Sequence, residues 1–200
     1  MTNLRDDIQR LRDYGRVAKI AEIARRLFAM NSFDGILTIL GVLMGNYLAE
    51  VRETEVIVVT GLATGVSMGI SGLWGAYLTE SAERQKSLDD LEVLTLTDLT
   101  ETRIGRASRA AVVVVALVDG LAPLIASVLV LLPFFLTHLW GDIVYSYYIA
   151  LAAALIGLFG LGTFLGRISR QNMLISGLKT IIAGLVALLL SYLIEGAIPG

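Results

Sequence analysis

The sequence predicts an all-α integral membrane protein with five transmembrane helices. Three observations carry that prediction. Of the 200 residues, 56% are hydrophobic, and the mean hydropathy of +0.73 is far above that of a water-exposed domain. The apolar residues gather into five blocks, at about 27–49, 55–78, 110–136, 142–166 and 173–194, each near the ~20 residues a helix needs to cross hydrocarbon. Nearly all the basic residues outside those blocks then fall on one side of them.

Residues 1–26 come first. Leu4, Ile8, Leu11, Ala18 and Ala21 recur at a rough helical spacing, with arginines between them. That pattern predicts a cytoplasmic amphipathic helix lying at the membrane interface and running into the first span. The segment is too charged for a cleaved signal peptide, and the first apolar block lies too far in. Residues 27–78 form a first transmembrane hairpin, 79–109 a cytoplasmic connector of mixed acidic and basic residues, 110–166 a second hairpin, and 173–194 a fifth transmembrane helix. Arg5, Arg10, Arg12, Arg16, Lys19, Arg25 and Arg26 precede span one. Arg84, Lys86, Arg103, Arg106 and Arg109 lie between spans two and three, and Arg167 and Arg170 between spans four and five. The other side has only Arg52. The positive-inside rule therefore puts the N-terminus in the cytoplasm and the C-terminus outside.

Two aspartates interrupt the apolar blocks, each followed by glycine: Asp34-Gly35 and Asp119-Gly120, at an offset of 85 residues. At the same offset Gly72-Leu73-Trp74-Gly75 matches Gly157-Leu158-Phe159-Gly160. The two matches suggest a parallel repeat of spans 1–2 and 3–4, although glycine and leucine are common here. An intramembrane aspartate costs roughly 2.5–3.5 kcal/mol on insertion scales. Each aspartate lies roughly 10–14 Å from the cytoplasmic start of its span at 1.5 Å per residue. If they face one another, they share a proton or bind a cation. The plainer reading is a structural carboxylate bonded to nearby backbone.

Other polar groups are weaker signals. Met44 and Met68 are soft thioethers inside spans, a ligand type that favours transition metals; packing is their ordinary use. Thr38, Thr60 and Ser67 line a path or bond back to their own helices. Lys179 in span five snorkels to the interface or pairs with one of the aspartates. Glu80 and Glu83, just past span two, are placed to collect cations on the cytoplasmic side. Solvation of a helical connector is the plainer reading. With no cysteine and His138 as the sole histidine, thiolate and polyhistidine metal sites are excluded. No nucleophile elbow, phosphate loop or zinc-hydrolase motif is present, so neither an enzyme nor a nucleic-acid partner is expected.

Several segments resemble the vacuolar iron transporter family. FDGILTILGVLMG is similar to its Asp-Gly first helix, and TGVSMGISGLWGAYLTESAER to its Ser-Met-Gly second helix with the acidic residues that follow. The stretch from Gly120 to Pro133-Phe134-Phe135 is similar to its third helix, and SGLKTIIAGLVALLLSYLIEG to its fifth. The resemblance covers about residues 25–196 and implies a homodimeric exporter of Fe²⁺, and often Mn²⁺, driven by protons. By position, Asp34 matches the first-helix aspartate of the translocation path and Met68 the second-helix methionine ligand.

The sequence departs from the family pattern in three places. Thr60 stands where a glutamate is common, Gly72 where plant members have another, and the connector is short where they carry a longer metal-binding domain. Asp119 is not a usual family feature, and it is expected to replace the carboxylate missing at Thr60. The expectation is thus a proton antiporter in the plasma membrane, with Fe²⁺ or Mn²⁺ as cargo, no tightly bound cofactor, and the bilayer and a second copy as partners. A non-transporting membrane scaffold and a carrier of a different cation are the alternatives.

Overall fold

The computed structural model describes the backbone of residues 3–197 and the side-chain surroundings of residues 20–139, 141–194 and 197. The amphipathic face expected on residues 4–19 lies outside the described side chains. All the regular elements among the described residues are helices: α1 (Asn3–Leu48), α2 (Thr54–Thr95), α3 (Arg103–Phe135), the short α4 (Thr137–Trp140), α5 (Ile143–Ile168) and α6 (Met173–Ala197). Five segments are long and apolar enough to cross a membrane: Ile20–Leu48, Thr54–Thr95, Arg103–Leu139, Ile143–Ile168 and Met173–Ile194. Helices satisfy every backbone group internally, which hydrocarbon demands. The chain is an integral membrane protein.

α1 is continuous from Asn3 through the N-terminal segment and span one to Leu48. Likewise α2 has 42 residues, about twice what a bilayer needs, and runs on into the expected connector. Only residues 96–102 separate it from α3. There the Asp98 carboxylate accepts from the Thr100 N–H at 2.8 Å, and Glu92 accepts from the Leu99 N–H at 2.7 Å. The Thr100 donors hold the exposed Asp98 carboxyl below the usual carboxylate range. Asp142 caps α5 by accepting from the Val144 N–H at 2.9 Å, and Asn172 caps α6 by accepting from the Leu174 N–H at 3.0 Å. Such caps use the orphan donors of a helix start.

The chain forms two compact units. One comprises Met1–Phe28 and Ser71–Gly120, the other Ala29–Ile70 and Leu121–Gly200. The second holds the main core, with Ile39, Leu40, Leu43, Leu131, Phe134 and Leu158 among its fully buried side chains. Small residues set how closely its helices approach. A Cβ on Gly35 would stand 2.8 Å from both the Cα and the carbonyl oxygen of Pro123. One on Gly177 would strike the Phe159 ring at 2.5 Å. In lipid, close backbone approach of this kind drives helix association.

One end of this unit is tied by aromatic side chains. Tyr147, fully buried, donates to the Val51 carbonyl in the α1–α2 turn at 2.9 Å. Its ring meets Tyr47 and Phe134 edge-on, with centroids 5.3 and 5.0 Å apart. The Tyr47 and Tyr148 hydroxyls are 3.1 Å apart.

Candidate functional site

In the second unit the expected path residues lie on α1 and the first half of α2. Asp34, Thr38, Gly41 and Gly45 recur at three- and four-residue intervals, so they share a face of α1. Asp34 is exposed and Thr38 half-buried. A Cβ on Gly41 or Gly45 would meet nothing within 4 Å. That face is therefore open in the single chain. The Asn46 side-chain amide donates to the Thr60 hydroxyl at 3.4 Å. Thr60 in turn donates to the Val56 carbonyl at 2.7 Å, and Thr64 to the Thr60 carbonyl at 2.8 Å. Thr60 and Ser67 are exposed, while Met44 and Met68 are half-buried. An apolar span thus shows small and polar groups, and one carboxylate, on an uncovered surface.

The orientation of Asp34 follows from its neighbour. Gly35 is the residue closed against Pro123. Successive helix residues point about 100° apart, since a turn takes 3.6 residues. Asp34 is turned away from that contact, and among the described residues its side chain makes no hydrogen bond or ion pair.

In the first unit Asp119 has the opposite setting. It is buried, 8% exposed, and lies against Gly72 of α2. A Cβ on Gly72 would stand 3.0 Å from the Asp119 carbonyl oxygen and 3.3 Å from its carboxylate Oδ2. Pro123 sits four residues further along α3 and has no N–H, so the Asp119 carbonyl lacks its ordinary i+4 helical donor. The residue on α2 that meets Asp119 is a glycine. A sequence cannot show this, because the offset of 85 says nothing about which faces close together.

Nearer the connector, the acidic residues are engaged locally. Glu80 accepts from the Arg84 Nε at 2.8 Å, a pair one helical turn apart, while Glu83 is exposed. Asp89 accepts from Gln85 at 2.8 Å. Lys179 is exposed and joins none of the ion pairs among the described residues. No group of three or more His, Cys, Asp or Glu gathers into a metal-holding set among the described residues. The Tyr47–Tyr147–Tyr148 cluster was not predicted as a unit. Its signal was two tyrosine-bearing span ends 100 residues apart, which only folding brings together. The first unit also holds a cavity of about 280 Å³ among Ile20, Ile23, Arg84, Leu88, Leu91 and Ile104; none of the expected path residues lines it.

Comparison with known proteins gives two matches. A family model described as the VIT family matches residues 90–195. An uncharacterized protein of the archaeon Methanocaldococcus jannaschii is 32% identical over 179 residues, covering 88% of this chain and 91% of the relative.

Proposed function

Because the chain belongs to the VIT family, whose members are membrane metal-ion transporters, we propose that it moves Fe²⁺, and also Mn²⁺, out of the cytoplasm in exchange for protons. The observation that carries this reading is Asp34. It is an exposed carboxylate on an otherwise apolar span, beside Thr38 and two uncovered glycines. A charge there costs several kcal/mol unless an ion or another chain meets it.

The open face also supports a homodimer. Gly41 and Gly45 leave room for a second helix to approach closely, and a second copy would cover the polar groups and bring a second Asp34. Asp34 and Met68 are then ligands for the passing ion. Asp119 is a further carboxylate of the path, able to exchange a proton for a cation. Glu83, with Glu80 when it leaves Arg84, gathers ions at the cytoplasmic end. The distribution of basic residues supports a cytoplasmic N-terminus, and we assign the protein to the plasma membrane as part of the same proposal.

The test is uptake of Fe²⁺, Mn²⁺ and Ca²⁺ into proteoliposomes carrying an internal pH dye, with wild type and Asp34→Asn. Wild type should move Fe²⁺ and Mn²⁺ with opposite proton movement, and Asp34→Asn should not. A wild type that moves no metal under an imposed pH gradient would end the proposal.

A further inference from the structure

We propose that Gly72 is a positioning residue: the space left by its missing side chain holds Asp119 in place against α2. The inference rests on the transport reading above. Two oxygens of the same residue, the main-chain carbonyl and the carboxylate Oδ2, converge on this one notch, at 3.0 and 3.3 Å from a would-be Cβ. Both approaches are tighter than ordinary van der Waals contact, so any side chain at 72 moves Asp119 by a few tenths of an ångström. Gly75, three residues on, would meet nothing within 4 Å if it carried a Cβ. The backbone is also unusual here, since Pro123 supplies no N–H to the Asp119 carbonyl. The carbonyl and carboxylate of Asp119 both lie against this notch, and Gly72 sets where they stand. A carboxylate that must exchange cargo for protons depends on its position, and a misplacement of about 1 Å can cost about 10²-fold in a rate.

The experiment measures Fe²⁺ uptake into proteoliposomes for wild type, Gly72→Ala, Gly75→Ala, Asp119→Asn and the double variant Gly72→Ala/Asp119→Asn. Each rate is normalised to folded protein. Gly72→Ala should lower uptake roughly tenfold, scaled from the cost of an ångström-sized displacement. Gly75→Ala should leave it unchanged, and Gly72→Ala should add no loss in the Asp119→Asn background. Three results overturn the inference: Gly72→Ala matching wild type, equal losses at 72 and 75, or a full Gly72→Ala loss on top of Asp119→Asn.

Where Asp119→Asn carries no measurable uptake, thermal unfolding closes the cycle instead. Gly72→Ala should then lower the midpoint less in the Asp119→Ala background than in wild type, and equal shifts overturn the inference. A wild type without any metal uptake defeats the transport proposal, while this unfolding cycle still decides the role of Gly72.

Discussion

Asp34→Leu is expected to make the protein more stable and inactive at once. The side chain is exposed, and among the described residues it has no hydrogen-bond or ion-pair partner to lose. Gly35, not Asp34, occupies the tight contact with Pro123, so a larger side chain at 34 meets no packed backbone there. On insertion scales aspartate near the centre of a span costs roughly 2.5–3.5 kcal/mol, whereas leucine gains roughly 0.3–0.6 kcal/mol. The gain is therefore at most about 3–4 kcal/mol, less by whatever snorkelling already recovers. Stability at the expense of function is the usual signature of a strained functional residue. The assay is reversible unfolding in mixed micelles, run beside proteoliposome uptake. A loss of 1 kcal/mol or more would show that Asp34 ties the fold together and would refute the reasoning. Uptake equal to wild type would refute the role of the carboxylate.

Three further outcomes follow from the geometry. Gly35→Ala should destabilise the monomer by roughly 1–3 kcal/mol, because its Cβ meets Pro123 backbone and overpacking is costly; Gly41→Ala should leave monomer unfolding unchanged, and Gly41→Leu should weaken self-association measured by sedimentation in detergent. Tyr147→Phe keeps both ring contacts and removes only the bond to the Val51 carbonyl, so it should cost roughly 0.5–1.5 kcal/mol, while Tyr147→Ala should cost roughly 3–5 kcal/mol in the same unfolding assay. Asp98 has a lowered folded pKa, so its contribution is fully present above the ordinary carboxylate value and is lost as pH falls through the lower folded value; protection of the Thr100 amide from hydrogen exchange should persist at mildly acidic pH and vanish in Asp98→Asn.

Much of the fold was legible in the sequence. Five apolar blocks became five spanning segments, because hydrocarbon leaves a helix no alternative; the second runs well past its block, to Thr95. What stayed illegible were the junctions. Nothing in composition distinguishes a helix that stops at the membrane surface from one that runs on, as α2 does to Thr95. Turn chemistry told more: Asp142 and Asn172 stand just ahead of apolar runs and cap them. The α1–α2 turn gave no such sign. It is held by Tyr147, 96 residues from Val51, and a contact at that separation leaves no local pattern.

The two Asp-Gly pairs show why a burial cost alone does not assign a role. The same insertion cost falls on both aspartates, at similar depth in their spans. In the folded chain Gly35 closes on Pro123 and leaves Asp34 on an uncovered face, whereas Asp119 is itself the residue that closes, against Gly72. The glycine that follows each aspartate is therefore not the common element. What differs is whether the close contact falls on the glycine or on the aspartate, a rotation of about 100° about the helix axis. An uncovered carboxylate in a span needs compensation from outside its chain, from an ion or a second copy, so its substitution should change what the protein binds. A carboxylate packed against a neighbouring helix is held by the fold, so what it does depends on where its neighbour lets it stand, and a change in that neighbour should act through it. The Asp34→Leu and Gly72→Ala measurements separate these cases, because the first predicts a stability gain and the second a positional loss.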